Sequence, residues 1–417
     1  MRLIVWGINY HPEPTGIAPY NSDLCDFLEE QGHSVEMISS FRYYPYWERL
    51  QEDQWSCFRT DLVGKIRVHR CWCYLPKHPN TLKRIFHELS FCVLSFMRIL
   101  VLKRPDALIV ISPPLALGFF AWLAGKIKRC PFVFHVQDLQ PDAALGLGML
   151  KPGILIKCLY RLEAFAYRKA ARVSSISTGI LKAFEQKGVP EFKRFLVPNW
   201  LRVKPSNLAA TQEGTKVRQK FGIPTDALLA LYSGNIGKKQ NIGILVEAAR
   251  LLAKNPSDRE IIIVIAGDGA GRAELVKSLN ETPCQGILLL PLLQDADYAA
   301  MLGAAQLCLI TQAAGTGQYF FPSKLLSALC ARVPVIAVAD SDSELSQAVA
   351  AGGFGAVVSA EKPSELSELL QSLALDANVL TSWKSHTQWV DQFARERILP
   401  QFEAKLKQLC HPEAASQ

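Results

Sequence analysis

Short apolar runs alternate with helical stretches along most of this chain, and this alternation constrains the fold more than any other feature. The run "LIVWGI" precedes a helical segment that ends at Gly32, and "SVEMIS" follows as the next strand. The later runs "ALIVIS", "PFVFHVQD" and "RVSSIS" are each followed by a helical segment. Such alternation predicts a parallel sheet covered on both faces. We therefore expect a doubly wound α/β domain over residues 1–200.

The same alternation restarts after a polar stretch, "LRVKPSNLAATQEGTKVRQ", which we interpret as a linker. It predicts a second parallel α/β domain over residues 205–385. An amphipathic helical tail is expected over residues 386–417, packed back on the first domain. Because open parallel sheets bind ligands beyond the carboxyl ends of their strands, two Rossmann-like domains predict a ligand cleft between them.

The composition limits the partners and the compartment. A net charge of +8 fits anionic substrates or an anionic membrane surface. The sequence contains no dense basic tract interleaved with aromatics, so we expect no nucleic-acid partner. The eleven cysteines are irregularly spaced, and the close pair Cys71 and Cys73 lacks zinc-site spacing. We expect no metal and a reducing, cytoplasmic location, with no signal peptide.

Two apolar stretches have the length to raise the question of a membrane. Residues 107–127 contain Pro113 and Pro114, which divide them into a strand and a helix. Residues 84–100 contain charged side chains and do not span. With its basic flank, the segment 83–103 fits either a helix lying in a bilayer interface or a core helix.

Two turns of the second half, one of them containing glycine, suggest an anion site. "LYSGNIGKKQNI" places Gly234 between a strand and a helix, with Lys239 at the helix start, and "FPSKLL" places Ser323 and Lys324 at another helix start. Backbone N–H groups at helix starts favour phosphate, glycine permits its close approach, and lysine adds charge. An ordinary turn with solvated lysines is the alternative reading of the first turn.

The turn "AGDGAGRAEL", with Gly267 and Gly269, superficially resembles a dinucleotide fingerprint but lacks its last glycine. It is weak support for a nicotinamide cofactor. In the first half, "FHVQDLQPDAALGLG" places His135 and Asp138 at the end of a strand. His135 is either a structural histidine or a cleft-facing ligand of the substrate.

Taken together, these segments resemble the family 4 glycosyltransferases, which are retaining enzymes with the GT-B fold. The likeness is strongest to the colanic-acid type of exopolysaccharide biosynthesis glycosyltransferases. It is carried by "GINYHPEPTGIAPYN", "GHSVEMIS", "YYPYW", "LPKHPNTLKRIFHELSF", "HVQDLQPDAALGLG", "VPNW", "YSGNIGKKQ" and "FPSKLL". Their order spans nearly the whole chain.

The resemblance implies transfer of a sugar from a UDP- or GDP-linked donor to a sugar, lipid-linked or small-molecule acceptor, without metal or other cofactor. It implies catalytic roles for His135, which contacts the transferred sugar, and for Lys239 and Lys324, which approach the diphosphate. The implied donor-binding residues are Gly16, Gly234, Asn235, Gly267, Gly269, Ser323 and Ser327. The implied acceptor or cleft residues are Asn9, Tyr10, Asp138 and Asn199.

The chain departs from the family pattern at one place. Many members carry two glutamates, separated by seven residues, around the last of these helices. Tyr319 and Ser327 occupy those positions here. A serine binds a ribose more weakly than a carboxylate does, so altered donor recognition is expected. A noncatalytic nucleotide-sugar-binding or scaffold protein is therefore the main alternative.

Overall fold

The computed structural model describes residues 1–14, 16–44, 47–54, 56–77, 80–146, 148–201, 211–317 and 323–410. Within these ranges, the side chains of residues 211, 212, 295, 323 and 387 are not described. The chain forms two units, residues 1–200 with 395–417 and residues 201–394. Each unit is described by itself below.

The first unit is organised around an eight-stranded sheet in which seven strands are parallel and only β3 runs antiparallel to its neighbour β4. In the sheet the strands are ordered β3-β4-β2-β1-β5-β6-β7-β8. Its strands are β1 (Arg2–Trp6), β2 (Ser34–Ser40), β3 (Phe58–Val63), β4 (Ile66–Cys71), β5 (Ala107–Ser112), β6 (Phe132–Val136), β7 (Arg172–Ser175) and β8 (Arg194–Leu196). Continuously buried runs such as β5 and β6 are those expected of a sheet covered on both faces.

Helices follow most of these strands. They are α1 (Ala18–Glu30), α2 (Thr81–Val101), α3 (Leu117–Lys128), α4 (Gln140–Gly146), α5 (Ile154–Lys169) and α6 (Thr178–Gln186). The strands β2 to β4 lie on one side of β1, and the strands β5 to β8 lie on its other side. The winding of the sheet therefore reverses between β1 and β5. Loops that follow strands at such a reversal are where open α/β sheets bind ligands.

The second unit repeats the plan with a six-stranded parallel sheet ordered β11-β10-β9-β12-β13-β14, and its winding reverses between β9 and β12. The strands are β9 (Leu228–Ser233), β10 (Ile261–Ala266), β11 (Ile287–Leu290), β12 (Leu307–Thr311), β13 (Val335–Val338) and β14 (Gly355–Val358). The helices are α7 (Thr211–Lys220), α8 (Gly243–Lys254), α9 (Arg272–Glu281), α10 (Asp295–Ala304), α11 (Ser323–Cys330), α12 (Glu344–Gly352), α13 (Pro363–Leu375) and α14 (Ala377–Ser385). The predicted α/β class with two doubly wound units is confirmed.

Interpreting the whole polar stretch 201–219 as a linker is wrong, because α7 begins at Thr211. The helix is fixed by Arg218, which is buried and donates to the carbonyl oxygens of Pro224 and Ala304 at 2.6 and 3.0 Å. Hydrophobic periodicity does not reveal a buried guanidinium that bonds to the last carbonyl of α10 and to the loop before β9, so the sequence suggested a solvated segment.

The tail divides differently from the sequence-based boundary. Residues 386–394 belong to the second unit, where the 3-10 turn His386–Phe393 lies against α11. Only α15 (Arg395–Cys410) belongs to the first unit. There Leu399 and Phe402 are buried in the core cluster that includes Val5 of β1.

Candidate functional site

The turn between β9 and α8 of the second unit is built around a lysine. Lys324, on α11, donates through Nζ to the hydroxyl of Tyr232, and this hydroxyl donates in turn to the carbonyl oxygen of Asn235 at 2.6 Å. Lys324 Nζ also lies 3.9 Å from the centre of the Tyr232 ring. Tyr232 is fully buried at the end of β9, so the chain of hydrogen bonds starts from a rigid position.

The positive charge of Lys324 is poorly stabilised by its surroundings. Burial first, and repulsion from Lys239 second, lower the pKa of Lys324 from 10.5 to about 7. No carboxylate in the described part of the chain is paired with Lys324. Lys324 and Lys239 are thus close enough to repel each other, and they follow β12 and β9, whose carboxyl ends are neighbours. An anion bound there would offset both the burial and the repulsion of Lys324.

Glycine is required beside Lys324. Gly234 has φ +131°, and a Cβ at this position would lie 2.5 Å from Lys324 Cε and 2.9 Å from its Nζ. Gly234 thus provides the space through which the lysine reaches Tyr232.

Gly267 and Gly269 serve the contact between two turns. A Cβ on Gly267 would lie 1.9 Å from the carbonyl oxygen of Gly234, and one on Gly269 would lie 2.5 Å from that of Ile236. Hydrogen bonds from Ile236 N to Asp268 O and from Gly271 N to Ile236 O close the same contact. These glycines allow the β9 and β10 turns to pack together, which accounts for them without a dinucleotide.

The predicted residues on α11 are only partly described. Ser323 begins the helix, and its side chain lies outside the described part, as does the whole of Tyr319. Ser327 lies one turn after Lys324 and is half-buried. In the second unit the structure thus brings together Gly234, Asn235, Gly267, Gly269, Lys239 and Lys324.

In the first unit, the loop after β1 is held by a carboxylate that the sequence analysis missed. Glu13 is 4% exposed and accepts hydrogen bonds from Asn9 Nδ2 at 2.8 Å and from the backbone N–H groups of Tyr43 and Tyr44 at 3.0 Å. Burial nevertheless raises its pKa. Gly16, at φ +70°, places its missing Cβ 3.5 Å from the Tyr44 ring. The proline-rich loop is therefore tied to the end of β2.

Two residues of this unit that the resemblance assigned to the cleft are buried. Tyr10 is 1% exposed within the core cluster, and Arg70 lies over its ring. Asn199 is also buried, and its Oδ1 has no hydrogen-bond partner in the described part of the chain. Asp138 is half-buried, two residues beyond the end of β6.

His135 lies near the end of a strand, as the sequence suggested. It lies within β6 and is buried, its Nδ1 is 2.9 Å from Ser174 Oγ, and its Nε2 is 2.9 Å from Gln137 Nε2. Burial lowers its pKa to about 4, so the ring is neutral near pH 7. With both nitrogens engaged, this geometry favours the structural alternative for His135, and its contact with the transferred sugar stays a prediction.

A second titratable group stands out at the same edge of the first sheet. Glu88, on α2, accepts two hydrogen bonds from Gln140 Nε2 at 3.0 and 3.1 Å, and Gln140 Oε1 accepts from the Leu115 N–H. Burial raises the pKa of Glu88 to about 7. Its neighbour His87 is buried against the rings of Tyr43 and Trp47. A lone glutamate in a helix gives no sequence signal of this kind.

Comparison with known proteins agrees with this architecture. Residues 15–200 match the family described as glycosyl transferase 4-like domain, and residues 214–389 match glycosyl transferases group 1. A protein of Escherichia coli, named as the colanic acid biosynthesis glycosyl transferase WcaI, is 32% identical over 83% of this chain and 85% of its own length. The chain belongs to this family of glycosyltransferases.

Solved structures support the GT-B fold. Sucrose-phosphate synthase from Thermosynechococcus elongatus superposes with a TM-score of 0.75 at 16% identity and full coverage of both chains. HepE from Anabaena, solved with UDP-glucose, gives 0.70 at 16% identity, with 98% of this chain and 99% of that chain covered. The predicted fold and family are both confirmed. The roles of the individual site residues remain predictions.

Gly234 offers a direct test of the packing around Lys324. We expect Gly234→Ala to destabilise the protein by about 1–3 kcal/mol, because alanine is strained at φ +131° and displaces the lysine. Gly243→Ala is the matched control, since a Cβ there meets nothing within 4 Å. Chemical unfolding of both variants checks this, and equal stability of the two would contradict it.

Glu88 predicts a pH dependence of stability. Because its folded-state pKa is about 7 against 4.5 for the free side chain, the folded protein holds the proton more tightly than the unfolded chain does. The free energy of unfolding of wild type relative to Glu88→Gln should therefore fall between about pH 4.5 and pH 7, by up to about 3 kcal/mol.

Urea unfolding across this pH range measures the effect. Glu52→Gln, at an exposed position, is the control for the loss of one carboxyl group. A difference between wild type and Glu88→Gln that is constant with pH would contradict the raised pKa.

Proposed function

We propose that this chain transfers a sugar from a nucleoside-diphosphate sugar, with UDP or GDP as the leaving group, and that Lys324 and Lys239 hold the diphosphate. The observation that carries the proposal is the position of Lys324 against Gly234, near enough to Lys239 for the two charges to repel, where the winding of the second sheet reverses. Charge grows on the diphosphate as the sugar departs, so fixed cations stabilise the transition state more than the bound donor.

The donor class is supported by the relatives as well as by the geometry. HepE, which shares the fold, was solved with UDP-glucose. The lowered pKa of Lys324 fits an anionic ligand, because a diphosphate would supply the counter-charge that this lysine lacks in the described part of the chain. Ser327, one turn further along α11, is the proposed ribose contact.

We further propose retention of anomeric configuration without a metal ion. The described residues contain no group of three or more His, Cys, Asp or Glu side chains arranged to hold one. Lysine charges and backbone N–H groups at the β9 turn would replace a divalent cation at the leaving group. The anomeric configuration of the product, read by NMR, tests the stereochemical part.

The acceptor is proposed to be a glycan or a lipid-linked sugar of a cell-surface polysaccharide, since WcaI is named for colanic acid biosynthesis. The loop after β1 in the first unit, fixed by Glu13, and the carboxyl group of Glu88 are proposed to line its site. The loop follows β1, one of the two strands between which the winding of that sheet reverses. Glu88 is linked through Gln140 to the N–H group of Leu115, just after the other strand, β5.

Contact with a membrane surface is proposed through residues 83–103. No helix in the described ranges combines the length and apolar character needed to cross a bilayer. One face of α2 is buried, whereas Leu82, Phe86, Leu89, Val93, Met97, Leu100 and Val101 are exposed along the other. From Leu82 to Leu100 they are three or four residues apart, which places them in one stripe, and Val101 adjoins its end. These seven side chains are called here the α2 stripe.

Substitution of Lys324 tests the proposed site. We expect Lys324→Met to lower nucleotide release from the preferred UDP- or GDP-sugar by about 10- to 150-fold, the loss of one charge-assisted contact. The thermal midpoint should be unchanged or higher, because a poorly supported buried charge has been removed. Lys254→Ala, at the exposed end of α8, is the control.

The assay screens UDP- and GDP-sugars and measures the UDP or GDP released. Wild-type turnover in Lys324→Met would show that the proposed diphosphate site is wrong. Binding of a nucleotide sugar by wild type without any turnover would instead favour the noncatalytic binding protein. That alternative arises from Ser327, which stands where many family members have a glutamate.

A further inference from the structure

A surface cavity of about 540 Å³ lies at the amino-terminal edge of the first sheet. It is found where α3 and α5 end and β6 and β7 begin, which is the opposite edge from the loops after β1 and β5. Its lining includes three cationic side chains, Lys126, Arg129 and Lys169, and two aromatic rings, Trp122 and Phe132. We call it the basic cavity.

The cations of the basic cavity have aromatic rings rather than carboxylates as their described neighbours. None of the three is paired with a carboxylate in the described part of the chain. Lys169 Nζ lies 5.9 Å from the ring centres of both Trp122 and Phe165, so aromatic faces are its neighbours.

Further positive charge surrounds the cavity. Burial, followed by repulsion from Arg172 and Lys169, lowers the pKa of Lys193. Lys193 Nζ is fixed there by the carbonyl oxygens of Arg168 and Ala170, at 2.9 and 3.0 Å. Cations held close enough to repel one another favour an anionic ligand.

The basic cavity adjoins the end of the α2 stripe. Lys128, one residue before the cavity-lining Arg129, donates through Nζ to the carbonyl oxygens of Leu100 and Leu102 at 2.7 and 2.6 Å. Val101, between these two, is 73% exposed, and Ile127 is 55% exposed. Exposed apolar side chains thus stand at the rim of a cationic cavity.

The surrounding helices carry many more positive than negative side chains. α2, α3 and α5 together contain nine lysines and arginines and two glutamates. Both glutamates are bound internally, Glu88 by Gln140 and Glu163 by Lys187. An apolar stripe beside an unneutralised cationic cavity matches the chemistry of an anionic phospholipid, whereas a free phosphate ion would use only the cavity.

We propose that the basic cavity binds the phosphoryl headgroup of an anionic lipid while the α2 stripe and Ile127 enter the boundary of the bilayer. The inference rests on the membrane contact proposed above and adds a defined headgroup site to it. Lys126, Arg129 and Lys169 provide the donors to the phosphoryl oxygens, and the exposed apolar side chains contact the acyl chains.

The test is flotation of the full chain with vesicles of phosphatidylcholine, alone or mixed with phosphatidylglycerol. The cavity variant is Lys126→Gln, Arg129→Gln and Lys169→Gln together. The charge-matched control is Lys65→Gln, Arg67→Gln and Lys182→Gln, three exposed cations of the same unit that do not line the cavity. Nucleotide release in solution and thermal midpoints verify that both variants are folded.

We expect wild type to bind the mixed vesicles. The cavity variant should bind them about 100-fold more weakly, about fivefold for each cation lost at an anionic surface. The control should lose no more than about threefold. Equal losses in the two variants would overturn the inference, because they would indicate diffuse attraction without a site.

Two further arms separate the possible failures. Inorganic phosphate that displaces wild type from the mixed vesicles at micromolar concentration would assign the cavity to a free anion and overturn the lipid. If Phe86→Ser with Val93→Ser abolishes flotation while the cavity variant floats normally, the membrane contact stands and the headgroup site is wrong. If wild type floats with neither vesicle but releases nucleotide, both membrane claims fail and the transferase does not.

Discussion

A lysine held beside a buried tyrosine, with another lysine as its charged neighbour, is the constraint on which the second unit depends. Lys324 donates to Tyr232, and Tyr232 donates to the carbonyl oxygen of Asn235, so the ammonium group, the end of β9 and the following turn share one chain of hydrogen bonds. Since the folded protein releases the lysine proton near pH 7 and the unfolded chain near pH 10.5, this group contributes stability that increases across that interval. Near neutral pH the arrangement costs stability, as expected of a binding site prepared for an anion.

Each sheet has a tightly held turn at the place where its winding reverses. In the second unit, the turns after β9 and β10 approach so closely that only glycine fits at Gly267 and Gly269, and Gly234 leaves room for Lys324. In the first unit, the loop after β1 is fixed by the carboxylate of Glu13, which bonds to the backbone that follows β2. The same topology therefore positions two different turns, one adjacent to lysines and one held by a carboxylate.

The sequence predicted the features that depend on local pattern. Alternating apolar runs predicted both sheets, and glycine followed by lysine predicted the turn at Gly234. The sequence did not indicate burial. His135 near the end of β6 and Tyr10 in the loop after β1 are both buried, and their contacts with the substrate stay predictions. Glu13 and Glu88 were missed because a single carboxylate acquires its role only from distant partners, Tyr43 and Gln140.

The central claim is that Lys324 binds the diphosphate in its protonated form, and proton uptake on donor binding measures this most directly. Calorimetry of the preferred nucleotide sugar at about pH 8, in two buffers of different ionisation enthalpy, counts the protons taken up. With a free pKa of about 7, most of the protein carries a neutral Lys324 at this pH, and a bound diphosphate raises that pKa. The account predicts an uptake approaching about one proton for each donor bound, with affinity that falls as the pH rises above about 7. Binding without proton uptake, at an affinity that does not change between about pH 6.5 and pH 8.5, would contradict it.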